Sequence, residues 1–250
     1  MILYFSGVKS AKELGMLKLA GVGHVLVDQF DVWSSGVLEW DGHVALDSGA
    51  YWAFKHGKVL RTGSYRQALS RLVGMRKFDF IVGLDDIGDP RQSKLNWVDL
   101  ANRGIVTMPV WQWGADLRDL GFYLQRAPIV GIGGLVQLMR AKDEAMLAHL
   151  VHMCSTYPDR FHIFGINWLA AINRLQHLAH SADTSKWLDG ARYRVLVFIH
   201  SRNRHLAEAP AKALVKSMPE VAEFDRDRLC IESARNMAMF VGSLPLPVGA

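Results

Sequence analysis

The chain has 250 residues, half of them hydrophobic and about a fifth charged, which disfavours intrinsic disorder and allows a sizeable core, in one large domain as well as in two small ones. Its two cysteines, Cys154 and Cys230, are too few and too far apart for a disulfide framework or a zinc motif, so a reducing, cytoplasmic setting is expected. A net charge of +5 and a pI near 9.3 favour a polyanionic partner without establishing one.

No apolar stretch is free of charge or glycine over the span of a bilayer, and residues 1–6 carry no basic leader, so a soluble protein with no membrane partner is expected. From there, short apolar runs alternate with amphipathic stretches. Residues 2–5 read as a first strand. Residues 10–19 read as a helix, with Ser10 as its cap, Leu14 and Leu17 near helical spacing, and Gly21 as its stop. A second strand is expected at 24–27. Residues 29–43, with Trp33 and Trp40, read as irregular or as a hairpin. A third strand follows at 44–46, then a helix at 64–73 with Ala68, Leu69 and Leu72 on one face.

The fourth strand is expected at 78–84. A helix over 90–103 opens on Pro90 and stops at Gly104. The alternation continues with a strand at 105–111, a helix at 116–126, a strand at 129–132 and a long helix at 136–157. It ends with a strand at 161–166, a helix at 168–178 and a weak strand near 180–184. Most runs are continuously apolar, as parallel strands buried on both faces should be. Eight strands alternating with helices predict a (β/α)₈ TIM-type barrel over residues 1–190, with an open doubly wound sheet as runner-up. Residues 191–250 read as an extension packed on the barrel, with a strand at 195–199 and helices at 206–218 and 233–240.

In a parallel barrel the chemistry sits at the C-terminal strand ends. The third strand ends in Asp47-Ser48-Gly49, the fourth in Asp85-Asp86, the fifth in Gln112 and the sixth in Gly133-Gly134, while the eighth carries Asp183. Any one aspartate alone would serve equally well as a helix cap. Several on one rim, two with glycine beside them, point to a ligand. Glycine lets a ligand approach the backbone, and exposed N–H groups suit a carbonyl.

At these residues the sequence resembles the tRNA-guanine transglycosylase superfamily, above all the short phage and bacterial DNA transglycosylases that insert 7-deazaguanines. DSGAY, Asp47 to Tyr51, resembles the family's DSGGF/Y segment, and GIGGL, Gly131 to Leu135, its glycine-rich motif. VWQWG, Val110 to Gly114, is similar to the VQGG segment and HIFGI, His162 to Ile166, to LMGVG. SADTSKW, Ser181 to Trp187, falls where the family has its nucleophile. The resemblance covers residues 2 to about 187.

The resemblance implies that Asp183 attacks the sugar C1′ and that Asp47 handles the proton of the departing and arriving base. It implies that Asp85, or its neighbour Asp86, accepts hydrogen bonds from the base. Gln112 and the Gly133-Gly134 backbone would contact the base carbonyl, Ser48 would support Asp47 or the base, and Tyr51 and Phe164 would stack on the ring. For these two aromatics, core packing is an equally good reading. Chemistry agrees: base exchange with retention takes two displacements, so a nucleophilic carboxylate and a proton-handling one are the minimum set.

The tRNA enzymes carry a CxC…CxxC…H zinc site that this chain lacks, so no metal or other cofactor is expected and DNA is favoured over tRNA as substrate. Lys55, Lys58, Arg61 and Arg66 follow DSGAY and are expected to meet phosphates. A second basic group, Arg192, Arg194, Arg202 and Arg204, reads as a solvated face. The expected partners are thus nucleic acid and a free 7-deazaguanine such as preQ0, in a host cytoplasm if the gene is viral. Homo-oligomer formation stays open. The competing readings are the same chemistry on tRNA, and a base-binding barrel without turnover.

Overall fold

The computed structural model describes residues 1–242; the last part of the expected extension, 243–250, lies outside the described residues. The strands are β1 (Ile2–Phe5), β2 (His24–Asp28), β3 (His43–Asp47), β4 (Val110–Gln112), β5 (Val130–Gly133), β6 (Phe161–Ile163), β7 (Ser181–Thr184), β8 (Val195–Ile199) and β9 (Leu206–Pro210). The helices are α1 (Ala11–Leu19), α2 (Ala50–Lys55), α3 (Thr62–Met75), α4 (Pro90–Asn102), α5 (Leu117–Leu124), α6 (Val136–Ala141), α7 (Glu144–Thr156), α8 (Leu169–Leu175), α9 (Asp189–Tyr193), α10 (Ala211–Leu214) and α11 (Arg226–Phe240).

Seven strands form one parallel sheet in the order β3-β2-β1-β7-β6-β5-β4. Strands adjacent in sequence lie side by side within β1–β3 and within β4–β7, as parallel strands joined by helical crossovers do, and β1 joins the two groups by pairing with β7. Alternation then sorts the side chains. On β1, Leu3 and Phe5 join the core between sheet and helices, while Tyr4 turns inward against Leu26 and Ala45. Phe161, Ile163 and Ala182 face outward in the same way, and Val82, Met108 and Val110 continue the inner cluster.

The expected closed, eight-stranded barrel is not formed. The architecture is a curled, TIM-like sheet of seven strands flanked by helices. The run expected as the fourth strand contributes only isolated bridges, Leu46 to Ile81 and Val82 to Met108. It still lies between the two sheet edges, since Val82 N–H donates to the Leu46 carbonyl at 2.9 Å and Met108 N–H to that of Ile81 at 2.7 Å. Backbone bonds continue beyond the bridges at both ends, from Asp79 N–H to the Val44 carbonyl at 2.9 Å and from Gly83 N–H to that of Met108 at 2.7 Å. Asp79 is taken up by the Tyr4 hydroxyl at 2.9 Å. At Gly83 a Cβ would sit 3.0 Å from the Met108 carbonyl oxygen to which the Gly83 N–H donates, so the two chains run close together there.

Three further expectations are corrected. The long helix at 136–157 is two, α6 and α7. Lys142 is left-handed (φ 52°), and the Asp143 carboxylate caps α7 by accepting from Met146 N–H. Residues 29–43 take the irregular alternative rather than the hairpin, with two single-turn 3₁₀ segments, Asp31–Trp33 and Val37–Glu39, and need no correction. The helix expected at 206–218 begins instead as β9, antiparallel to β8, before the short α10. The terminal helix starts earlier than expected, at Arg226 behind the Asp225 cap.

The C-terminal stretch shares the main core. Val197, Leu206, Cys230, Ala234 and Met237 belong to the same apolar cluster as the sheet's outer face. Lys12 pairs with Asp227 at 2.8 Å, and Arg235 reaches the Leu19 carbonyl, which ties α11 to α1. Among the described residues, no helix is long and apolar enough to cross a membrane.

Candidate active site

A cavity of about 730 Å³ opens at the C-terminal ends of the strands. That volume lies within the range of small-molecule sites. The strands are in register at this end: Asp28 pairs with Asp47 across β2 and β3, and Tyr4 with Asp183 across β1 and β7. The inward-facing positions near these strand ends are carboxylates, whereas one step deeper β2 and β3 present Leu26 and Ala45 and β6 and β7 present His162 and Ser181. Asp28, Asp47, Asp85 and Asp183 all line the cavity.

Asp47 ends β3 at a turn that only glycine completes comfortably. Gly49 is left-handed (φ 74°), and a Cβ there would sit 2.6 Å from the Phe30 ring. The Gly49 N–H donates to Asp47 Oδ2 at 3.0 Å. Burial pushes the Asp47 carboxyl up to about 7, opposed by that backbone bond and helped by the neighbouring charges of Asp28 and Asp183. Near neutrality the group therefore exists in both protonation states, as a proton-handling group requires. Ser48 is buried against the cavity, its hydroxyl accepting from Ala50 N–H and its carbonyl from the Gln29 amide.

Asp183 is buried, and its Oδ1 accepts from Gly165 N–H at 2.8 Å. Asn167 fixes that loop, accepting from Thr184 Oγ1 and from Ser185 N–H. Asp85 is held by Ser93 Oγ and Gln112 Nε2, both donating to Oδ1 at 2.7 Å. Its other oxygen points toward β5, where a Cβ on Gly133 would lie 3.8 Å away. Burial raises the Asp85 pKa, and the two donors oppose that rise. Gly133 and Gly134 line the cavity beside it, the latter left-handed (φ 77°).

Phe164 lies in the inner apolar cluster and also lines the cavity. Gly131 makes room for its ring, since a Cβ there would lie 2.4 Å from it. Tyr51, exposed on α2, stands at the rim. Lys55 lines the cavity as well, with its ammonium 5.8 Å from the Tyr51 ring centre.

Several expected site residues lie elsewhere. Gln112 does not line the cavity. Its amide nitrogen is spent on Asp85 and the Asp86 carbonyl, and its oxygen on Gly88 N–H, so it positions Asp85. Asp86 is also outside the lining and serves the turn before α4, which Asp89 caps. Lys58 is not in the lining but sits 4.9 Å over the ring of Trp52, which is, and Arg61 and Arg66 lie on the approach to α3 and on α3 itself, outside the lining.

Other lining residues were not anticipated. Asp28 ends β2 and is hidden in the sequence because the second apolar run stops at Val27. Its carboxylate accepts from Phe30 and Asp31 N–H, both at 2.8 Å. Lys9, Arg140 and Lys142 add cations at the wall. The C-terminal stretch contributes Arg192, Tyr193 and Glu208, and Glu208 is joined to the cavity wall by an ion pair with Lys186 at 2.5 Å.

The metal-type donors that cluster among the described residues are His24, His43 and Asp79, at the other end of the strands. The two imidazoles stack face to face, 4.6 Å apart at 9°, so their in-plane lone pairs do not converge on one point. No family model matches the chain, and no curated protein matches it either.

Proposed function

We propose that the chain is a base-exchange transglycosylase that replaces guanine in a nucleic acid, DNA before tRNA, with a 7-deazaguanine. The observation that carries this reading is the pair Asp47 and Asp183, on separate strands yet lining one cavity, with Asp47 held near neutrality. In the first displacement an Asp183 oxygen bonds to the sugar C1′, and the C1′–N9 bond breaks with its electron pair going to the base. Asp47 supplies the proton to the leaving base. In the second, Asp47 takes the N9 proton of the incoming base, that nitrogen bonds to C1′, and the ester to Asp183 breaks. Retention at C1′ follows.

The remaining lining fits a flat, hydrogen-bonding guest. The free Asp85 oxygen suits the adjacent N1–H and amino donors of a guanine edge. Phe164 offers a ring face within the cavity, and the expected Tyr51 contact would come from the rim. A base inside a duplex must leave the stack to enter such a site. Lys9, Lys55, Arg140 and Lys142 would then meet the flanking phosphates.

The test is uptake of radiolabelled guanine or preQ0 into DNA and, in parallel, into tRNA, with denaturing mass spectrometry for a nucleotide adduct at Asp183. Uptake into DNA with an adduct is the expected result. Uptake into tRNA alone would transfer the same chemistry to RNA. Base binding without uptake into either polymer would leave a binding protein and refute the exchange reading.

A further inference from the structure

We propose that His162 is a positioning residue for Asp183: its Nε2–H is aimed at one carboxylate oxygen, leaving the other to attack. The inference rests on the reading of Asp183 as nucleophile. His162 is completely buried on β6, and its Nδ1 lies 2.8 Å from the hydroxyl of Ser181, equally buried on β7. Tyr4, Phe80 and Phe164 surround the ring, with centroids 6.2, 5.1 and 4.6 Å away. In that apolar setting Nε2 has no hydrogen-bond partner. Its acidic neighbour is Asp183 Oδ1, at 3.7 Å.

A buried imidazole nitrogen without a partner is costly, and here the carboxylate decides its state. With the proton on Nδ1, Nε2 would turn a lone pair toward a carboxylate, which is repulsive. With the proton on Nε2 the contact is attractive, and the Ser181 hydroxyl donates to Nδ1. The register makes the line-up possible. His162 pairs with Ser181 across β6 and β7, and Asp183 is two residues further along, so all three face inward. Closing 3.7 Å to hydrogen-bond length needs a shift of under about 1 Å.

Oδ1 would then be held by two donors, Gly165 N–H and His162 Nε2–H, with Oδ2 as the attacking atom. The effect falls mainly on the second displacement. As the C1′–Oδ2 bond breaks, its electron pair returns to Asp183, and donors already aimed at Oδ1 stabilise the recovering charge. His162 itself touches neither sugar nor base.

Imidazole ¹⁵N spectra of the full-length wild type test the contact directly. Nε2 of His162 is expected to carry the proton, and its resonance to move in Asp183→Asn. A lone pair on Nε2, or no response to that substitution, overturns the proposal. Kinetics give the second readout. His162→Phe keeps an aromatic ring and is expected to lower turnover about 10- to 100-fold at unchanged KM, with adduct accumulating at Asp183. His162→Gln returns an N–H near the Nε2 position and is expected to restore most of the loss. Loss without accumulation and without rescue would mark His162 as packing only. If the wild type exchanges no base on either polymer, the base-exchange reading fails, while the spectra still decide the His162–Asp183 contact.

Discussion

The two ends of β2 and β3 carry opposite chemistry on the same pair of strands. At their starts His24 pairs in register with His43, and at their ends Asp28 pairs with Asp47. The histidine end satisfies itself: the rings stack, and Asp79 accepts from the Tyr4 hydroxyl and lies 3.1 Å from His43 Nδ1. The aspartate end does not. Its carboxylates are steadied by backbone N–H groups and face a cavity that also holds Asp85 and Asp183. Burial there, helped by the neighbouring carboxylates, holds the Asp47 proton to about 7, and such shifted groups cluster at functional sites. The contrast separates an end whose polar groups pair with one another from the end where the proposed reaction would take place.

Substituting the aspartate end should remove function and leave the fold. Asp183→Asn is expected to reduce base uptake at least about 10³-fold, with an unchanged melting temperature, as measured by label incorporation and calorimetry. Asp47→Asn should reduce turnover about 10²- to 10⁴-fold and, unlike most buried substitutions, stabilise the protein above neutral pH. The free chain ionises this group near 3.8, whereas the folded chain keeps its proton to about 7. Ionisation therefore favours unfolding increasingly as pH rises between those values, and the penalty stays in full above them. Asparagine cannot ionise. At pH 8 the variant should gain roughly 2 kcal/mol, since Asp47 keeps some solvent contact, and at pH 3 nothing. A denaturant titration at both pH values decides it, and equal stability at pH 8 would place Asp47 in a solvated, ordinary environment.

Intermediate effects belong to the cavity's walls. Gly131→Ala would put a methyl 2.4 Å from the Phe164 ring and push it into the base's space. A rise in KM for the free base of about tenfold, with about 1–3 kcal/mol of lost stability, is expected. Removing both Arg140 and Lys142 should weaken nucleic-acid binding at every sequence and lower the salt slope by about 1 for each phosphate that is no longer neutralised. An unchanged slope would move the polymer away from this wall.

How much of this was legible in the sequence follows the same division. The strand-end aspartates at 47, 85 and 183 could be found because apolar runs mark where a parallel strand stops, and the cavity must lie there. Arg140 and Lys142 could not. They line the wall because the helix breaks at Lys142 and restarts behind Asp143, and a helical pattern running through both hides that break. Leu206–Pro210 contains Ala and Glu, which favour helix, yet pairing with β8 makes it a strand, so tertiary contacts override local preference. Gln112 is legible as a strand end, but its direction is set by Asp85 and Gly88, on a loop whose path no periodicity reports. The fourth strand has a similar origin: its apolar run is visible in the sequence, but that it meets both neighbours through isolated bridges alone is set by those neighbours and not by the run itself.

The smallest expected effect tests the histidine end alone. Burial, and then the neighbouring His43, lower the His24 pKa below its ordinary 6.5, against the pull of Asp79. The unfolded chain therefore takes up a proton at a higher pH than the folded one. Stability from this site is complete above about 6.5 and is lost as pH falls toward the folded value. His24→Phe keeps a ring for the stack and removes the titration, so its stability should fall less than wild type's between pH 7 and 5. The difference should be about 1 kcal/mol or less, because the cluster is partly solvated. Base exchange at pH 7 should not change. If it falls with His24→Phe, the two ends are coupled through the inward side chains of the sheet, with Tyr4 and His162 as the connecting pair, and the division between the histidine end and the aspartate end does not hold.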